Sequence, residues 1–531
     1  MKLVSGKKMG AIDREAIEQL GIPGLMLMEN AGLQVVKFIQ SNWKSPGKGK
    51  IIIICGKGNN GGDGFVISRH LHRLGYHLET WAMGDISDYK GDAAVNYHVL
   101  LQLGFTVFQA SKDNLLGRLS DLGETDLIVD ALLGTGIENL VRGPLKKIIA
   151  AINDSAAEVV AIDIPSGISA DSGAVMGTAV KANYTVTFAL PKRGLLLFPG
   201  VKYAGRVLVV DIGIPKKLTG CSEIKENLIT GYFVQARLPR RQLDSHKGSN
   251  GRVLILAGSP GMTGAATMAG EAALRGGAGL VYVGTAEEIS YIVEGKLKEV
   301  ITLGFPGDGK GNMTVDGVKQ IAKQAGNCQA LAFGPGLKPD AETLKLYSEL
   351  AKEINVPMVV DAGGLGALAL SPEILLKNNR SLILTPHPGE MSRLTGIDIA
   401  NVQQKRWELA AAKAAEWNAV VVLKGTNTVI ALPNGDVYIN PTGNPVLATA
   451  GTGDLLTGLI ASLLAQGLQP EMAAICGVYI HGLAADLLSS ESGKAGFIAG
   501  DVLQMFPRAI NEVITGFSDG PADFFWIRPY H

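Results

Sequence analysis

Residues 450–454, with the sequence Ala-Gly-Thr-Gly-Asp, are the part of this chain best suited to phosphoryl chemistry. The small residues leave backbone N–H groups accessible, and the apolar run from Leu455 predicts a helix whose N-terminus attracts an anion. Asp454 would repel that anion unless it accepts a proton from an attacking hydroxyl group. The alternative is structural, because an Asp after a glycine turn also serves as a helix N-cap.

A second glycine-rich segment, residues 56–64, follows the apolar run Ile51–Cys55 and predicts a turn between this strand and the next helix. It has neither the G-x-G-x-x-G spacing of a dinucleotide fold nor the Gly-Lys-Ser/Thr of a P-loop. Asn59, Asn60 and Asp63 instead offer oxygen atoms at the carboxyl end of a buried strand, where open α/β sheets bind ligands. The alternative is a turn in which Asn and Asp only tolerate unusual backbone angles. The density of Gly, Asn and Asp favours the ligand site.

Two isolated carboxylates also lie at predicted strand ends. Asp130 precedes a Gly-Thr-Gly turn at 134–136 that could hold a phosphate, and Asp163 comes shortly before Ser166. Burying a carboxylate in an apolar strand is costly without a partner. The pair therefore predicts a shared site with a cation or a ligand hydroxyl between the two carboxylates.

The second half places further polar or small residues after predicted strands. They are Ala265 after a glycine turn, Gly336 in Gly-Pro-Gly-Leu, His387 between two prolines, and Lys424 before Gly-Thr. Parallel strands end at one edge of a sheet, so we expect these residues to meet Asp454 in one crevice. A lone His is more often structural, and a lone Lys is compatible with a surface position. The shared edge favours ligand binding for both.

These groups require a scaffold of strands alternating with helices. Short apolar, β-branched runs separated by helical patterns occur in both halves and predict two α/β units with parallel sheets covered on both faces: a Rossmann-like doubly wound sheet followed by a second α/β domain. The strands predicted in the first half are 51–55, 78–83, 127–132, 159–162, 185–188 and 207–210. Those of the second half are 253–257, 280–284, 330–333, 358–361, 382–384, 420–423, 429–432 and 437–439.

The boundaries follow from where this alternation stops. We expect a first domain over 1–215, a linker over 216–237, a second domain over 238–515 and a tail over 516–531. The linker is assigned because it is rich in charged and turn residues and shows no clear strand–helix pair.

Composition excludes several classes of protein. Hydrophobic residues make up 47% and charged residues 18% of the 531 residues, which is typical of a well-packed enzyme of more than one domain. Lys plus Arg and Asp plus Glu balance at 49 each, so no net charge draws nucleic acid or an anionic membrane. The four cysteines have neither metal-ligand spacing nor the density of a disulfide framework. No signal peptide is recognisable and the apolar stretch 455–468 is too short to span a bilayer, so we expect a cytoplasmic protein.

The first half resembles the NAD(P)H-hydrate epimerase domain over about residues 1–215. The resemblance rests on an N-terminal segment with Met9, Ala-Ile-Asp at 11–13, Gly-Ile-Pro-Gly at 21–24 and Met-Glu-Asn-Ala-Gly at 28–32, and on Asn-Asn-Gly-Gly-Asp-Gly at 59–64. It implies a potassium ion held by Asn60, Asp130 and Ser166, and oxygen ligands of this kind do suit a hard cation. It also implies a hydrate-binding site made of Asn59, Asn60, Gly61, Gly62, Asp63, Gly134, Thr135, Gly136, Ile137, Glu138, Asn139, Leu140 and Asp163.

The second half resembles the ribokinase-like superfamily and, more closely, the ATP/ADP-dependent NAD(P)H-hydrate dehydratases, over about residues 238–513. The shared strings include Asp-Ser-His-Lys-Gly at 244–248, Thr-Pro-His-Pro-Gly-Glu at 385–390 and Ala-Gly-Thr-Gly-Asp at 450–454. The resemblance implies that the hydrate contacts Ala265, Gly336, His387 and Asp454. It implies that the nucleotide contacts Lys424, Gly425, Thr426, Asn427, Thr428 and Gly453. No role is predicted for Ser245, His246 and Lys247.

Together the two resemblances imply a bifunctional enzyme, active as a homo-oligomer, that repairs the hydrates NADHX and NADPHX. The first domain would interconvert the R and S epimers, with Asp163 stabilising an iminium-like ring or handling the hydroxyl proton. The second would phosphorylate the C6 hydroxyl of the S form from ADP with Mg²⁺ present, Asp454 taking its proton, so that phosphate leaves and AMP is released. ADP is chosen over ATP from the resemblance alone. A vitamin-type kinase is the alternative enzyme, and a first domain that only binds ligands is the non-enzymatic alternative.

Overall fold

The structure, a computed structural model, describes residues 1–43, 49–110, 113–493, 495–516 and 524–527 of the chain. It divides into two compact units with the boundary between Ile224 and Lys225. The strand Phe524–Ile527 belongs to the first unit although it lies near the end of the chain. Each unit contains one sheet flanked by helices, which confirms the prediction of two α/β domains.

The first domain is a doubly wound domain around an eight-stranded sheet. Its parallel strands are β1 (Ile51–Cys55), β2 (Leu78–Ala82), β3 (Val107–Gln109), β4 (Leu127–Ala131), β5 (Glu158–Ile162), β6 (Tyr184–Phe188) and β7 (Arg206–Val210). Its helices are α1 (Gly6–Glu18), α2 (Gly24–Asn42), α3 (Asn59–Arg73), α4 (Gly91–Gln102), α5 (Leu115–Ser120), α6 (Gly143–Asp154), α7 (Val201–Ala204) and α8 (Lys216–Thr219).

The strand order of this sheet creates its ligand crevice. From one edge the order is Phe524–Ile527, β7, β6, β5, β4, β1, β2, β3, and Phe524–Ile527 runs antiparallel to β7. The direction of winding reverses between β1 and β4, so the loops after these two strands diverge and open a crevice at their carboxyl ends. All five residues of both strands are buried, as expected for strands covered on both faces.

The segment 59–64 is not the turn that the sequence predicted, because α3 already begins at Asn59. A Cβ atom at Gly61 would lie 1.7 Å from the carbonyl oxygen of Gly56, and one at Gly62 would lie 2.7 Å from Cε of Met28. The glycines therefore let α3 start directly against the loop after β1. The Asn and Asp side chains of this segment consequently lie on the first turns of a helix.

The second domain is built on a ten-stranded sheet. Its strands are β8 (Glu226–Leu228), β9 (Arg252–Leu256), β10 (Leu280–Ala286), β11 (Ile301–Phe305), β12 (Ala330–Phe333), β13 (Met358–Val360), β14 (Leu382–Leu384), β15 (Val420–Leu423), β16 (Val429–Ala431) and β17 (Val437–Ile439). Its helices are α9 (Gly231–Gln235), α10 (Thr263–Arg275), α11 (Glu287–Glu294), α12 (Val318–Ala325), α13 (Ala341–Glu353), α14 (Ala362–Leu368), α15 (Pro388–Thr395), α16 (Ile399–Gln404), α17 (Arg406–Glu416), α18 (Thr452–Ala465), α19 (Pro470–Ser492), α20 (Ala499–Gln504) and α21 (Phe506–Thr515).

The order in this sheet is β11, β10, β9, β12, β13, β14, β15, β16, β17, β8. The strands from β11 to β15 are parallel, whereas β16 is antiparallel to both β15 and β17. The winding direction reverses between β9 and β12, so a second crevice is expected at the carboxyl ends of these strands.

Four edge strands were not predicted, namely β3, β8, β11 and Phe524–Ile527. The unit boundary falls inside the predicted linker, 216–237, but this interval also contains β8, which pairs with β17 at the edge of the second sheet. The edge strands β3 and β11 were also missed. Edge strands carry partly exposed side chains and lack the continuous apolar run that marks a strand covered on both faces.

The predicted tail, 516–531, lies largely outside the described residues, but its strand Phe524–Ile527 (β18) docks on β7. The ring of Trp526 lies 5.9 Å from that of Phe38 and 6.4 Å from that of Tyr184, centroid to centroid. The guanidinium group of Arg206 lies 4.8 Å from the Trp526 ring centroid. Aromatic packing and a cation–π contact thus hold this strand on the first domain.

Within the described residues, one helix is long and apolar enough to cross a membrane by length and composition. It comprises Pro470–Glu491 of α19, and 83% of its most apolar window is buried inside the second domain. The sequence analysis assesses only residues 455–468 as a possible membrane span and does not assess this helix. Such burial is typical of a core helix, which is apolar on all sides because protein surrounds it.

Candidate active sites

The first domain contains a cavity of about 800 Å³ at the carboxyl ends of β1 and β4. Asn59, Asn60, Asp63, Asp163 and residues 134–137 line it, as the sequence predicted. The structure does not bring the remaining predicted residues to this cavity. Gly61 and Gly62 pack α3 against neighbouring elements, while Glu138, Asn139 and Leu140 are exposed beyond its lining.

Asp163 forms an ion pair with a buried lysine. It directly follows β5 with φ of 64°, a left-handed conformation that is uncommon outside glycine. Its Oδ1 accepts hydrogen bonds from the Thr187 hydroxyl (3.1 Å), the Phe188 backbone N–H (3.0 Å) and Nζ of Lys192. The Lys192 ammonium also donates to the Thr187 hydroxyl (3.2 Å) and the Phe188 carbonyl (2.9 Å). All three of its hydrogens are therefore used, and the pair is a rigid part of the wall.

Two other carboxyl groups of this cavity, those of Asp13 and Asp63, have no hydrogen-bond or ion-pair partner within the described residues. Burial raises the pKa of Asp13 from 3.8 to about 6, with Lys192 opposing the shift and Asp163 adding to it. Burial and then the charges of Asp163 and Asp13 raise the pKa of Asp63 well above its usual range. Two carboxyl groups with raised pKa values thus lie beside the ion pair of Asp163 and Lys192.

Asn60, Asp130 and Ser166 belong to one buried network. Asp130 accepts hydrogen bonds from the Ser166 hydroxyl (2.6 Å), the Ser166 backbone N–H (2.8 Å) and the Leu132 N–H (3.2 Å). The Leu133 carbonyl oxygen accepts from the Asn60 amide at 3.1 Å and lies 3.3 Å from the Ser166 hydroxyl oxygen. Burial raises the pKa of Asp130 to about 6, and the hydrogen bonds from Ser166 oppose this shift. The structure brings together the three residues predicted to hold a cation.

In the second domain Asp454 occupies the third position of α18. The N-cap is Gly451, which has a φ of 94° and carries no side chain, so the helix-cap interpretation of Asp454 is wrong. A Cβ atom at Gly453 would lie 3.4 Å from Nζ of Lys424 and 3.6 Å from Oδ2 of Asp361. The first turn of α18 therefore lies directly against these two charged groups.

Asp454 belongs to a cluster of charged side chains at the sheet edge. Nζ of Lys424, after β15, is 2.7 Å from Oδ1 of Asp361, after β13, and 3.9 Å from Oε2 of Glu390 on α15. The other oxygen of Asp361 accepts a hydrogen bond from the Thr457 hydroxyl of α18 at 2.8 Å. The Asp361 side chain is 1% exposed and that of Lys424 is 19% exposed, so the ammonium group is the accessible partner.

The cluster shifts the titration of its members. Burial raises the pKa of Asp454 from 3.8 to about 7; Asp361 and Glu390 add to the shift and Lys424 opposes it. Burial lowers the pKa of Lys424, but Asp361 and Glu390 outweigh it and the net shift is upward. Burial likewise raises the pKa of Glu390, against the opposing charge of Lys424. Asp454 can therefore exchange a proton near neutral pH while Lys424 remains charged.

His387 has a structural function in addition to its position at the sheet edge. It is the N-cap of α15, with Nδ1 accepting from the backbone N–H groups of Gly389 (3.0 Å) and Glu390 (3.3 Å). The Glu390 carboxylate accepts the His387 backbone N–H in return at 2.8 Å, which completes a capping box. Nδ1 thus acts as a hydrogen-bond acceptor, and burial, followed by the charge of Lys424, lowers the pKa of His387.

The remaining predicted residues of the second domain lie in adjoining loops, except Ala265, which is on the first turn of α10. Gly336 has a φ of 66°, and a Cβ atom there would lie 3.0 Å from Cβ of Ala265. Of the segment 424–428, Gly425 and Thr426 are exposed, Asn427 is buried, and the Lys424 backbone N–H donates to the Pro386 carbonyl at 2.9 Å. The loops carrying the two predicted sets of contacts therefore reach the same edge of the sheet.

Residues 245–247 lie away from this edge. Nδ1 of His246 accepts hydrogen bonds from the backbone N–H groups of Gly248 (3.1 Å) and Ser249 (3.3 Å), which closes a turn. The Lys247 carbonyl oxygen is 1.8 Å from where a Cβ atom at Gly279 would be, just before β10 begins. This turn is thus at the amino ends of the strands and has no contact with the cluster of Asp454.

Sequence reasoning missed four charged residues of the two sites: Asp13, Lys192, Asp361 and Glu390. Asp13 and Glu390 lie within segments that carried the family resemblance, and that was their only signal. Lys192 follows a proline and Asp361 ends an apolar strand. The latter is the same pattern that identified Asp130 and Asp163.

Comparison with known proteins identifies both halves of the chain. Residues 24–194 match the family described as YjeF-related protein N-terminus, and residues 253–508 match the family described as NAD(P)H-hydrate dehydratase. The bifunctional NAD(P)H-hydrate repair enzyme Nnr of Moorella thermoacetica is 43% identical over 515 residues, covering 97% of each chain. That of Thermofilum pendens is 37% identical over 517 residues, covering 97% of this chain and 98% of the relative.

A solved structure also matches the second domain. It is the ADP/ATP-dependent NAD(P)H-hydrate dehydratase from Bacillus subtilis, co-crystallized with ATP/Mg²⁺. Its sequence identity is 36%, its TM-score is 0.48, and the match covers 54% of this chain and 98% of the other.

Proposed function

The chain belongs to the family of bifunctional NAD(P)H-hydrate repair enzymes, and on that premise we propose which residues carry out its two reactions. It is an NAD(P)H-hydrate epimerase, an isomerase, in its first domain and a nucleotide-dependent NAD(P)H-hydrate dehydratase, a lyase, in its second. Its substrates are the hydrates of NADH and NADPH, in which a hydroxyl group occupies C6 of the ring.

Asp454 is the general base of the dehydratase. The observation that carries this proposal is its position in the first turn of α18 with a pKa of about 7. The C6 hydroxyl oxygen forms a bond to the terminal phosphorus of ADP, its proton passes to Asp454, and AMP leaves with the electrons of the broken P–O bond. The ring nitrogen then expels phosphate from C6, and loss of a C5 proton restores the double bond. Hydroxide alone would be a much poorer leaving group.

Lys424 binds the phosphates of the nucleotide. Asp361 holds the ammonium group at 2.7 Å from the buried side, and 19% of the Lys424 side chain remains accessible. A cation fixed in this way neutralises the charge that builds on the phosphoryl oxygens without reorganising during the reaction. The backbone N–H groups of α18 and of the loop 424–428 add donors for the nucleotide, and Ala265, Gly336 and His387 contact the hydrate.

The dehydratase site suits a magnesium ion that arrives with its nucleotide. Within the described residues there is no group of three or more His, Cys, Asp or Glu side chains placed so that it could hold a metal ion by itself. Mg²⁺ in phosphoryl-transfer sites is bound through substrate phosphates, waters and one or two carboxylates, and Glu390 would supply such a carboxylate. When bound, the ion would supply positive charge that offsets the negative charge of the transferred phosphoryl group.

In the epimerase, Asp163 opposes positive charge on the ring of the hydrate. Its side chain is 15% exposed, whereas its partner Lys192 is 1% exposed, so the carboxylate is the member of the ion pair that can meet a ligand. Loss of the C6 hydroxyl would leave an iminium-like ring, which a permanent carboxylate stabilises. Asn59, Asn60, Asp63 and residues 134–137 form the remaining walls for the hydrate.

A potassium ion fits the network of Asn60, Asp130 and Ser166. Asp130 is completely buried, and no cationic side chain contributes to its pKa shift within the described residues. An uncompensated buried carboxylate is costly, and a hard monovalent cation held by oxygen ligands would compensate it. When bound, the ion supplies positive charge beside the loops after β1 and β4.

One experiment tests both assignments. Purified R and S hydrates are incubated separately with the full chain and either ADP or ATP, and recovery of the reduced-nicotinamide absorbance is followed. We expect both hydrates to be repaired, with ADP as the better donor and phosphate as a product. Asp163→Asn should abolish repair of the R hydrate while S-hydrate dehydration stays within about twofold of the unmodified chain. Accumulation of a stable phosphomonoester, or loss of both activities in this variant, would contradict the assignment.

Two further properties are proposed. The enzyme works in the cytoplasm, where its four cysteines remain thiols, all of which are free in the structure. It works as a homo-oligomer, an assignment supported by the apolar side chains that the region of α4 exposes, such as Val95 at 46% and Leu103 at 55%. Sedimentation of the full chain as a monomer at micromolar concentration would contradict the second property.

A further inference from the structure

We propose that Asp13 is the acid–base residue of the epimerase, and that it exchanges a proton with the C6 hydroxyl while Asp163, ion-paired with Lys192, supplies negative charge. This inference rests on the assignment of the epimerase site to the cavity of the first domain. It separates two functions, charge stabilisation and proton transfer, and assigns them to two different carboxyl groups of one cavity.

Asp163 is poorly suited to donate a proton. Three donors point to its Oδ1, one of which is the ammonium group of Lys192. Hydrogen bonds and an adjacent cation stabilise the ionised form of a carboxyl group. Lys192 is fully buried and uses its hydrogens on Asp163, Thr187 and Phe188, so it cannot reach the substrate either. The acid that must protonate a leaving hydroxyl group therefore has to be another residue.

Asp13 has the position and the freedom to be that acid. It lies on α1 between Met9 and Ile17, and all three residues line the cavity. Their spacing of four residues puts them on one face of the helix, so the carboxyl group of Asp13 enters the cavity between two apolar side chains. It has no hydrogen-bond or ion-pair partner within the described residues, which leaves it available to a ligand.

The surroundings of Asp13 raise its pKa, so that a measurable fraction of the carboxyl group is protonated at neutral pH. Burial is the main cause that raises its pKa to about 6; Asp163 and, from α3, Asp63 face it with like charge, while Lys192 and Arg14 oppose the shift. At pH 7 about 9% of such a group is protonated, against less than ~0.1% of an ordinary Asp. Asp13 is thus acidic enough to donate a proton, and a usable fraction of its carboxyl groups carries that proton at pH 7.

The reaction then balances in two reversible steps. The Asp13 carboxyl group gives its proton to the C6 hydroxyl, the C6–O bond breaks with its electrons on oxygen, and water is released. The lone pair of N1 forms the C6=N1 bond, and Asp163 stabilises the resulting cation. Water adds to the opposite face of C6, and its surplus proton returns through cavity water to the Asp13 carboxylate. The hydrate leaves with inverted configuration at C6 and the enzyme is unchanged.

The test uses the full chain, purified R hydrate and no nucleotide, so that the dehydratase is idle, with formation of S hydrate measured by chromatography. We expect Asp13→Asn to lower kcat by at least ~10² and Asp13→Glu to recover at least ~tenfold of that loss. The rate of the unmodified chain should fall about 50-fold between pH 6 and pH 8, as the carboxyl group ionises. The residual rate of Asp13→Asn should lack this inflection.

Glu15→Gln is the matched control, because Glu15 is an exposed acid of the same helix. It should leave the rate and the pH profile unchanged, and in all variants S-hydrate dehydration with ADP should report an intact chain. An Asp13→Asn rate within about threefold of the unmodified chain, with the same pH profile, would overturn the inference. Absence of epimerisation in the unmodified chain would instead overturn the assignment of the cavity as the epimerase site.

Discussion

Replacing Asp454 with Asn should have opposite effects on two properties of the second domain, because it should lower turnover and raise stability. The Asn side chain keeps the shape of Asp but can neither accept a proton from the C6 hydroxyl nor ionise. We expect turnover of the S hydrate to fall by at least ~10², while ADP still binds, because the contacts proposed for the nucleotide come from other groups. Dehydration by the unmodified chain should rise with pH up to about 7 and then level off, since the base must be ionised.

The same substitution should stabilise the second domain. The folded chain holds the Asp454 proton up to a pKa of about 7, whereas the unfolded chain loses it above about 3.8. A group with a raised pKa in the folded state therefore costs stability as pH rises between these two values, and the full cost is present above pH 7. The shift of about 3 units at ~1.4 kcal/mol each gives up to about 4 kcal/mol at pH 8 and about 1.7 kcal/mol at pH 5.

Calorimetry of the full chain measures this difference. The transition of the second domain is the one that ADP raises, and its Tm in Asp454→Asn should exceed that of the unmodified chain by several degrees at pH 8 and by less at pH 5. Glu342→Gln is the matched control, since Glu342 is also an acid in a first helical turn but is exposed on α13. Turnover within threefold of the unmodified chain would show that Asp454 is not the general base. An unchanged Tm at pH 8 would show that its buried charge does not destabilise the domain.

Two further predictions concern the buried carboxylates. Raising KCl in place of choline chloride should raise both the epimerisation rate and the Tm of the first domain, and Asp130→Asn should abolish both responses; an equal response to K⁺ in this variant would contradict the ion site. Lys424→Met leaves Asp361 buried with the Thr457 hydroxyl as its remaining partner, and should lower the free energy of unfolding of the second domain by ~3–5 kcal/mol. Adding Asp361→Asn to Lys424→Met should restore most of that loss, as measured by denaturant unfolding; no restoration would show that the pair is not coupled.

The sequence predicts those strands whose residues all have the same buried surroundings, because such strands are apolar along their whole length. β1 and β4 are continuous apolar runs because helices cover both faces of the sheet, and this pattern is visible without any knowledge of the partner strands. β3, β8 and β11 were missed because one side of an edge strand meets solvent, which breaks the apolar run. Similarly, the glycines at the start of α3 predict a loop because glycine is rare in helices. The structure explains their presence in the helix by the close approach of the Gly56 carbonyl oxygen.

The same distinction applies to the sites. Asp130, Asp163 and Asp454 could be predicted because each is a carboxylate in an apolar or glycine-rich setting. Their partners could not, since the Lys192–Asp163 pair spans 29 residues and the Lys424–Asp361 pair spans 63. Long-range ion pairs depend on strand order, which the sequence pattern does not contain. Asp13 was missed for another reason, because on an amphipathic helix one acidic residue is normally attributed to the solvent face.

The two domains use the same kind of Lys–Asp ion pair to present opposite charges to their ligands. Each has a Lys–Asp ion pair at the carboxyl edge of a parallel sheet and, beside it, an Asp whose pKa burial raises toward neutrality. In the first domain the lysine is 1% exposed and the aspartate 15%, so the pair presents negative charge. In the second the aspartate is 1% exposed and the lysine 19%, so it presents positive charge. The first arrangement suits a ring that becomes cationic as its hydroxyl leaves, and the second suits a phosphoryl group in transfer.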